Sequence, residues 1–407
     1  LKFKEFNFDS SLQEGLDSMG FETPTPIQEQ AIPIIQSGKD IIGCAQTGTG
    51  KTAAFVLPIL DKLSKSPTDK TNTLIIVPTR ELALQIDQAI QGFSYFTSVS
   101  SLAIYGGSDG SAFEKERRAL TDGANIIIAT PGRLMAHLNM GYVKLDDLQH
   151  LILDEADRML DMGFVDDIMK ITTYLPKNRQ TLMFSATMAP KIRTLATKLL
   201  KDPEQISISL AKPAEGVEQG AYLVYDTQKN NLIKSLLSGK EISSVIIFVS
   251  TKIKVKELER DLIKAGLKAK AIHSDLEQLE REEVLRNFRS KQLQILVATD
   301  ILSRGIDIED IGLVINYDVP GEPADYIHRI GRTARAASTG VALTFINEYD
   351  QQKFGQIEAL IGAAVKKIPL PEGFVEGPVY NPDVKIKKPF SGKKKPNFNK
   401  DRRPARK

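Results

Sequence analysis

Residues 40–63 read "DIIGCAQTGTGKTAAFVLPILDKL". A short β-branched run, 40–44, stops at a glycine-bearing loop, and a stretch with helical spacing follows, so the segment predicts strand, loop and helix in direct succession. Within "AQTGTGKT" (45–52) the backbone at Gly48, Thr49 and Gly50 can approach phosphate oxygens closely, and amides at the start of a helix point at such an anion. Lys51 adds a positive charge and the Thr52 hydroxyl can ligate Mg²⁺. This is the phosphate-loop pattern with Ala45 at its first glycine. A chance glycine-rich turn would not need a strand before it and a helix after it. Cys44, one residue earlier, reads as a small buried strand residue.

The same rhythm runs outward in both directions. Strands are predicted at 73–77, 101–105, 125–129, 150–154 and 181–185, and again at 245–249, 269–273, 294–298, 313–317 and 342–346, with helical stretches between them. That alternation predicts an α/β class with parallel sheets, repeated twice. The polar, Gly/Pro-bearing segment 208–220 reads as a linker between an N-terminal domain (1–207) and a C-terminal domain (221–370).

A chain of 407 residues has room for two such domains. With 42% hydrophobic and 26% charged residues the composition is that of a soluble protein, no apolar run approaches the roughly 18 residues of a membrane span, and no apolar signal core stands at the start. The single cysteine excludes an internal disulfide and a multi-cysteine metal site, so a cytoplasmic setting is expected. Residues 385–407 carry 11 Lys/Arg and one acid, a local charge of +10 that leaves −7 for residues 1–384, given +3 overall. Segment 371–407 is therefore expected to be a disordered basic tail.

Residues 152–160, "ILDEADRML", place three acids in four positions at the end of a predicted strand. A solvated turn explains one of them. Beside a phosphate loop, Asp154 can hold Mg²⁺ of a bound nucleotide and Glu155 can orient or deprotonate the attacking water.

With "AQTGTGKT" and "DEAD" together, the chain from about Phe3 to about residue 365 resembles the DEAD-box RNA helicases of superfamily 2. The resemblance implies two RecA-like domains joined by a flexible linker, ATP and Mg²⁺ as cofactors, and sequence-independent binding and local unwinding of RNA by a monomer. "GFETPTPIQ" (20–28) is similar to the family's adenine-reading motif, which would place Gln28 on the adenine edge and Phe3 as the stacking aromatic. "PTREL" (78–82), "YGG" (105–107) and "TPGR" (130–133) match its first-domain RNA motifs, implicating Thr79, Arg80, Gly106, Gly107, Thr130 and Arg133. "SAT" (185–187) resembles the motif that couples hydrolysis to strand separation, through Ser185 and Thr187.

In the second half "HRIGRTAR" (328–335) resembles motif VI, implying Arg332 and Arg335 as arginine fingers and His328 in coupling, with Ala334 where the family usually has Gly. "ATDILSRGIDI" (298–308) resembles motif V, implying Thr299 and Gly305 toward RNA and Asp307 toward the ribose or the cleft. "HSDLEQLER" (273–281) implies Gln278 and Arg281 near RNA, with Ser274 in place of a common Gly. The compact core with a short basic tail looks most like bacterial RhlE-type members, whose settings are ribosome assembly and RNA turnover. A DNA translocase and a slow RNA clamp are the rival readings.

The tail carries charge and no motif, so removing residues 385–407 should weaken RNA binding and leave the chemical step alone. Each Lys or Arg that displaces a counterion from single-stranded RNA contributes a slope of about −0.7 in log affinity against log salt. RNA affinity measured at several salt concentrations should therefore show a flatter dependence for the shortened chain, with kcat at saturating RNA unchanged.

Overall fold

A computed structural model of the chain describes residues 1–45, 48–106, 110–208, 216–238, 244–273, 275–299, 311–333 and 340–384. The eleven expected strands are all present. In the first half they are β1 (Ile41–Cys44), β2 (Thr73–Ile76), β3 (Ser101–Ile104), β4 (Ile126–Ala129), β5 (His150–Leu153) and β6 (Gln180–Ser185), joined by β7 (Glu204–Ser207). The second half holds β8 (Val217–Leu223), β9 (Val245–Phe248), β10 (Ala269–Ile272), β11 (Ile295–Ala298), β12 (Leu313–Asn316), β13 (Gly340–Ile346) and β14 (Lys366–Ile368).

Each half builds one seven-stranded parallel sheet. The orders are β3-β4-β2-β5-β6-β1-β7 and β10-β11-β9-β12-β13-β8-β14, which are the same permutation counted from the first strand of each half. The two domains therefore share one topology. Helices cover both faces, so the central strands read as unbroken apolar runs instead of alternating ones: Leu74, Ile75 and Ile76 all lie at or below 1% exposure. Two apolar clusters fill the two sides of each sheet.

The order of the first sheet positions the site. β1, β6 and β5 are adjacent, with Cys44 opposite Ser185 and Leu153 opposite Met183, so the segments leaving their C-terminal ends emerge side by side. Ligands of open α/β sheets bind at that edge. β1 can approach β6 so closely because residue 43 is glycine: a Cβ there would lie 2.6 Å from the Phe184 ring, which packs against Phe55 at 5.2 Å.

Two expected boundaries move. The linker expected at 208–220 gives way at Val217, where β8 begins and pairs along its full length with β13; residues 209–215 lie outside the described residues. Residues 371–384, expected within the tail, pack as a strap on the second domain. Gln351 donates to Val379 O at 2.9 Å and accepts from Asn381 N, while Gln228 donates to Val375 O at 2.8 Å. Tyr380 donates to Glu358 Oε2 at 2.5 Å, beneath the Lys367 ammonium at 4.2 Å and edge-on to Phe354. Residues 385–407 lie outside the described residues.

Replacing Tyr380 by Ala removes a charge-assisted hydrogen bond, a cation–π contact and an aromatic edge at once. The loss should cost about 1–3 kcal/mol. Thermal unfolding should show a lower Tm for Tyr380→Ala, whereas removal of 385–407 should leave Tm in place.

Candidate active site

The loop between β1 and the helix Lys51–Lys65 turns through left-handed backbone at Gly48 (φ 82°) and Gly50 (φ 86°), the second forming the helix cap. Gly50 is further constrained by its neighbour: an added Cβ would sit 2.3 Å from Gln28 Nε2. Lys51, buried, donates to Ala45 O at 2.7 Å, and Thr52 stands half-buried one residue into the helix. Gln46 and Thr47 lie outside the described residues.

The segment 20–28 ties itself to this loop. Gln28 is 3% exposed; its Nε2 donates to Gly50 O at 3.1 Å and its Oε1 accepts from Thr25 N at 2.8 Å. The Thr25 hydroxyl donates to Thr49 O at 2.7 Å. Both contacts couple the expected base-reading segment to the phosphate loop, a role that the chain separation of more than twenty residues hid from sequence reading. Phe3, expected as a stacking aromatic, is 1% exposed, with its ring packed against Phe6 and Phe21. It forms part of the wall of a cavity of about 500 Å³ shared with Lys2, Lys4, Asp17, Gly20, Phe21 and Glu22.

Asp154 follows β5 directly, donating through its amide to Ile76 O and accepting the Glu155 amide at Oδ1, 2.9 Å away. Burial pushes its carboxyl up to about 6, with Glu155 adding to the rise and Lys51 opposing it. The folded chain thus holds this proton more tightly than the unfolded chain does, so stability is lost as pH rises from the ordinary aspartate range through about 6. Glu155 caps the next helix, Ala156–Asp161, in left-handed backbone (φ 51°), a conformation that costs a non-glycine residue about 1–3 kcal/mol and that concentrates at functional sites. Its Oε2 is buried without a hydrogen-bond partner.

The end of β6 meets this cluster. The Ser185 hydroxyl donates to Thr187 O at 2.7 Å and accepts from Thr187 N, and the Thr187 hydroxyl reaches Asp157 Oδ2 at 3.4 Å. Ser185 and Thr187 are therefore a physical bridge between the acidic cluster and the turn after β6.

From the second domain, the helix Pro323–Ile330 carries His328 and Arg329, and the turn after it carries Arg332. Arg329 is buried and consumed locally, donating to Asn316 Oδ1 at 3.1 Å and Asp318 O at 2.8 Å. Arg332 is held by its own backbone, whose carbonyl accepts from Ile311 N, while the buried Thr333 hydroxyl donates to Ile311 O. His328 and Arg332 line one cleft with Lys51, Glu155, Asp157, Arg158 and Ala186 of the first domain. Four residues expected to act together thus face each other across the domain boundary. Arg335, Asp307, Gly305 and Ser274 lie outside the described residues, as does Ala334.

The residues expected to meet nucleic acid divide differently. Thr79 caps the helix Arg80–Phe93 by accepting Leu82 N, which is a structural use of its hydroxyl. Arg80 lies 4.4 Å over the Tyr105 ring and donates to Glu282 of the second domain at 2.8 Å; Arg281 returns the arrangement by pairing with Glu81 at 3.5 Å. Sequence reading missed both acids, which gave no sign of their partners across about 200 residues. Gly106 is exposed with open space at its Cβ position, and Thr130 and Thr299 are half-buried at the ends of β4 and β11. Gln278 opens the helix Gln278–Arg289, and Gly107 lies outside the described residues. Arg133 is mostly covered and donates to Glu116 at 2.7 Å.

Comparison with known proteins identifies the family of the whole chain. The DEAD/DEAH box helicase family matches residues 25–195, and the helicase conserved C-terminal domain family matches residues 228–337. The chain is 45% identical over 346 residues to the ATP-dependent RNA helicase CshA of Listeria monocytogenes, covering 85% of this chain and 66% of that protein. It is 41% identical over 360 residues to CshA of Bacillus subtilis, covering 88% and 72%. Both are CshA helicases, so the narrower RhlE-type likeness is not supported. Among solved structures, S. cerevisiae Dbp5 bound to RNA and ADP BeF3 superposes with a TM-score of 0.80 at 31% identity, over 90% of this chain and 95% of that one. The paired domains, their motifs and these likenesses lead to one conclusion: the chain belongs to the DEAD-box family of ATP-dependent RNA helicases.

Proposed function

We propose that this chain hydrolyses ATP in the cleft between its two domains and uses the closure that builds the cleft to grip single-stranded RNA and open short duplexes locally. The observation that carries the reading is the meeting of Lys51 and Glu155 with His328 and Arg332 in one cleft. A nucleotide site split between domains is complete only when they close, so ATP and RNA each lower the cost of binding the other. Support also comes from the likeness to Dbp5 bound to RNA and ADP BeF3, which extends over both domains.

In this reading the phosphate loop, with Gly48, Thr49 and Gly50, receives the phosphates and Lys51 offsets their charge. The acidic pair fits a divalent cation: Asp154 is a buried carboxylate whose ionisation is opposed by its surroundings, and Glu155 presents a buried oxygen without a partner. Asp154 and Thr52 would hold Mg²⁺, which when bound neutralises charge on the phosphates. Glu155 orients the attacking water and takes its proton, while Arg332, with Arg335 as the family resemblance implies, stabilises the charge that develops on the transferred phosphoryl group. Gln28, already bonded to Gly50, would report adenine occupancy directly to the phosphate loop. Ser185 and Thr187 link Asp157 to the rest of the domain edge and are placed to pass on the state of the nucleotide.

Arg80 and Arg281, each paired with an acid of the other domain, would exchange those carboxylates for RNA phosphates, and Thr130, Arg133, Thr299 and Gln278 would extend the track. Contacts of this kind go to the sugar-phosphate backbone and leave sequence unread. Preference for RNA over DNA would rest on 2′-hydroxyls. A monomer acting in the cytoplasm, in ribosome assembly or RNA turnover, is the setting consistent with this chemistry; among the described residues no helix is long and apolar enough to cross a membrane.

ATPase rate measured with no nucleic acid, with single-stranded RNA and with single-stranded DNA tests the reading directly. Stimulation by RNA alone is expected, and equal rates in all three would defeat it. Glu155→Gln should keep ATP and RNA binding and lose nearly all turnover, because the carboxamide retains the shape but not the base. Arg332→Ala should lower RNA-stimulated hydrolysis by roughly 10³-fold or more, the range known for arginine fingers. A variant that kept wild-type kcat would place Arg332 outside the reaction.

A further inference from the structure

Beside the expected RNA track of the first domain lies a buried polar chain that the nucleotide chemistry does not use. Glu116, on the helix Gly110–Asp122, is 5% exposed, and His137, on the helix Pro131–Asn139, is fully buried. Glu116 Oε2 accepts from Arg133 Nε at 2.7 Å and lies 2.8 Å from His137 Nε2. The other ring nitrogen, Nδ1, is bonded to the Tyr142 hydroxyl. A carboxylate oxygen only accepts, so Nε2 carries a ring hydrogen; in the neutral ring Nδ1 accepts and Tyr142 donates, and in the charged ring Nδ1 donates to the Tyr142 oxygen. In either state His137 donates to Glu116 Oε2, the same oxygen that receives the Arg133 N–H. Phe113 completes the setting, lying flat on the His137 ring at 4.3 Å and 15°, with the Arg133 guanidinium 4.6 Å from its centroid.

The Nε of Arg133 is held by Glu116 and its guanidinium lies against the Phe113 ring, so the side chain is anchored at two points. A purely structural need at this depth is met as well by apolar residues, since burying a charged pair seldom adds net stability. We infer that Glu116 is a positioning residue for the RNA grip: it fixes Arg133 of the TPGR segment for a backbone phosphate, and His137 and Tyr142 fix Glu116 in turn. The inference rests on the reading that Arg133 meets RNA. Pre-organisation lowers the ordering cost of binding, and for one long side chain the effect is roughly 2- to 10-fold in affinity.

The test measures RNA-stimulated ATPase of the full chain with a single-stranded homopolymer RNA, together with RNA affinity and Tm, for Arg133→Ala, Glu116→Gln, Tyr142→Phe and the double variant Arg133→Ala/Glu116→Gln. Glu116→Gln should raise the KM for RNA roughly 2- to 10-fold, with the KM for ATP and kcat at saturating RNA unchanged. Tyr142→Phe should shift the same constant in the same direction by less. The double variant should be no worse than Arg133→Ala alone, because both changes act through one guanidinium. Unchanged RNA binding in Arg133→Ala would remove the reading beneath the inference. Impaired Arg133→Ala beside a Glu116→Gln whose RNA KM is unchanged, or falls because the carboxylate had only been cancelling charge, would overturn the inference itself, as would a lowered Tm with no change in RNA KM. If Glu116→Gln does not fold, Tyr142→Phe decides: an unaltered KM for RNA overturns it.

Discussion

Two carboxylates buried at the end of one strand set the terms for the rest of this molecule. Asp154 and Glu155 are 3% and 8% exposed, and the carboxyl of Asp154 resists ionisation up to about 6 because burial denies it water. Charge confined in this way needs cations, and the fold brings them from separate directions. Lys51 comes from the loop after β1, two strands away in the sheet, and Arg332 comes from the other domain. The local backbone is strained to hold the arrangement, since Glu155 sits in left-handed conformation. On the proposed reading, a site balanced by a residue of the second domain and by a cation on the bound phosphates has a built-in reason to work only when closed and loaded.

The legibility of the sequence follows from the same physics. Strands buried on both faces appear as continuous apolar runs, which is why nine of the ten internal strands could be read in advance, together with the two apolar edge strands β3 and β10. The three strands that could not be read are "EQIS" of β7, "VEQGAYL" of β8 and "KKI" of β14. β7 and β14 are sheet edges with exposed residues, and β8 carries Glu, Gln and Gly through its first half, so none shows a pattern that separates it from loop. The strap 371–384 was hidden for a related reason: it is held by hydrogen bonds donated by Gln228 and Gln351 and by one that Glu358 accepts from Tyr380, not by an apolar period of its own.

The site divides along the same line. Gly50, Lys51, Asp154 and Glu155 stood out in the sequence because each belongs to a short motif whose local chemistry favours that residue type, and Arg332 stood out through the family resemblance. Glu116, His137 and Glu282 did not, because what they do depends on a partner brought near by the fold. Arg329 shows the converse: it stands in a motif beside Arg332, yet its guanidinium is consumed by Asn316 and the Asp318 carbonyl. The resemblance singled out Arg332 and not Arg329, and burial separates the two in the same way.

Magnitudes then distinguish what must hold from what must let go. Inside the second domain Asp318 is 5% exposed and bound by Lys229, Lys254 and Ser250, and the lysines and hydroxyl hold its carboxyl well below the usual range despite burial. Breaking one partner of such a cluster strands a buried charge, so the cluster stays intact through the working cycle. The pairs that cross between domains are of another kind. Glu282 is 45% exposed at its side chain, and the Arg281–Glu81 contact is already long at 3.5 Å. Partly solvated pairs like these are each worth about 0–1 kcal/mol, less than a phosphate with two acceptor oxygens can return to a guanidinium. The contacts within each domain are thus firm and the pairs between domains exchangeable: on the proposed reading Arg80 and Arg281 would trade a carboxylate for RNA at little cost and regain it when RNA leaves.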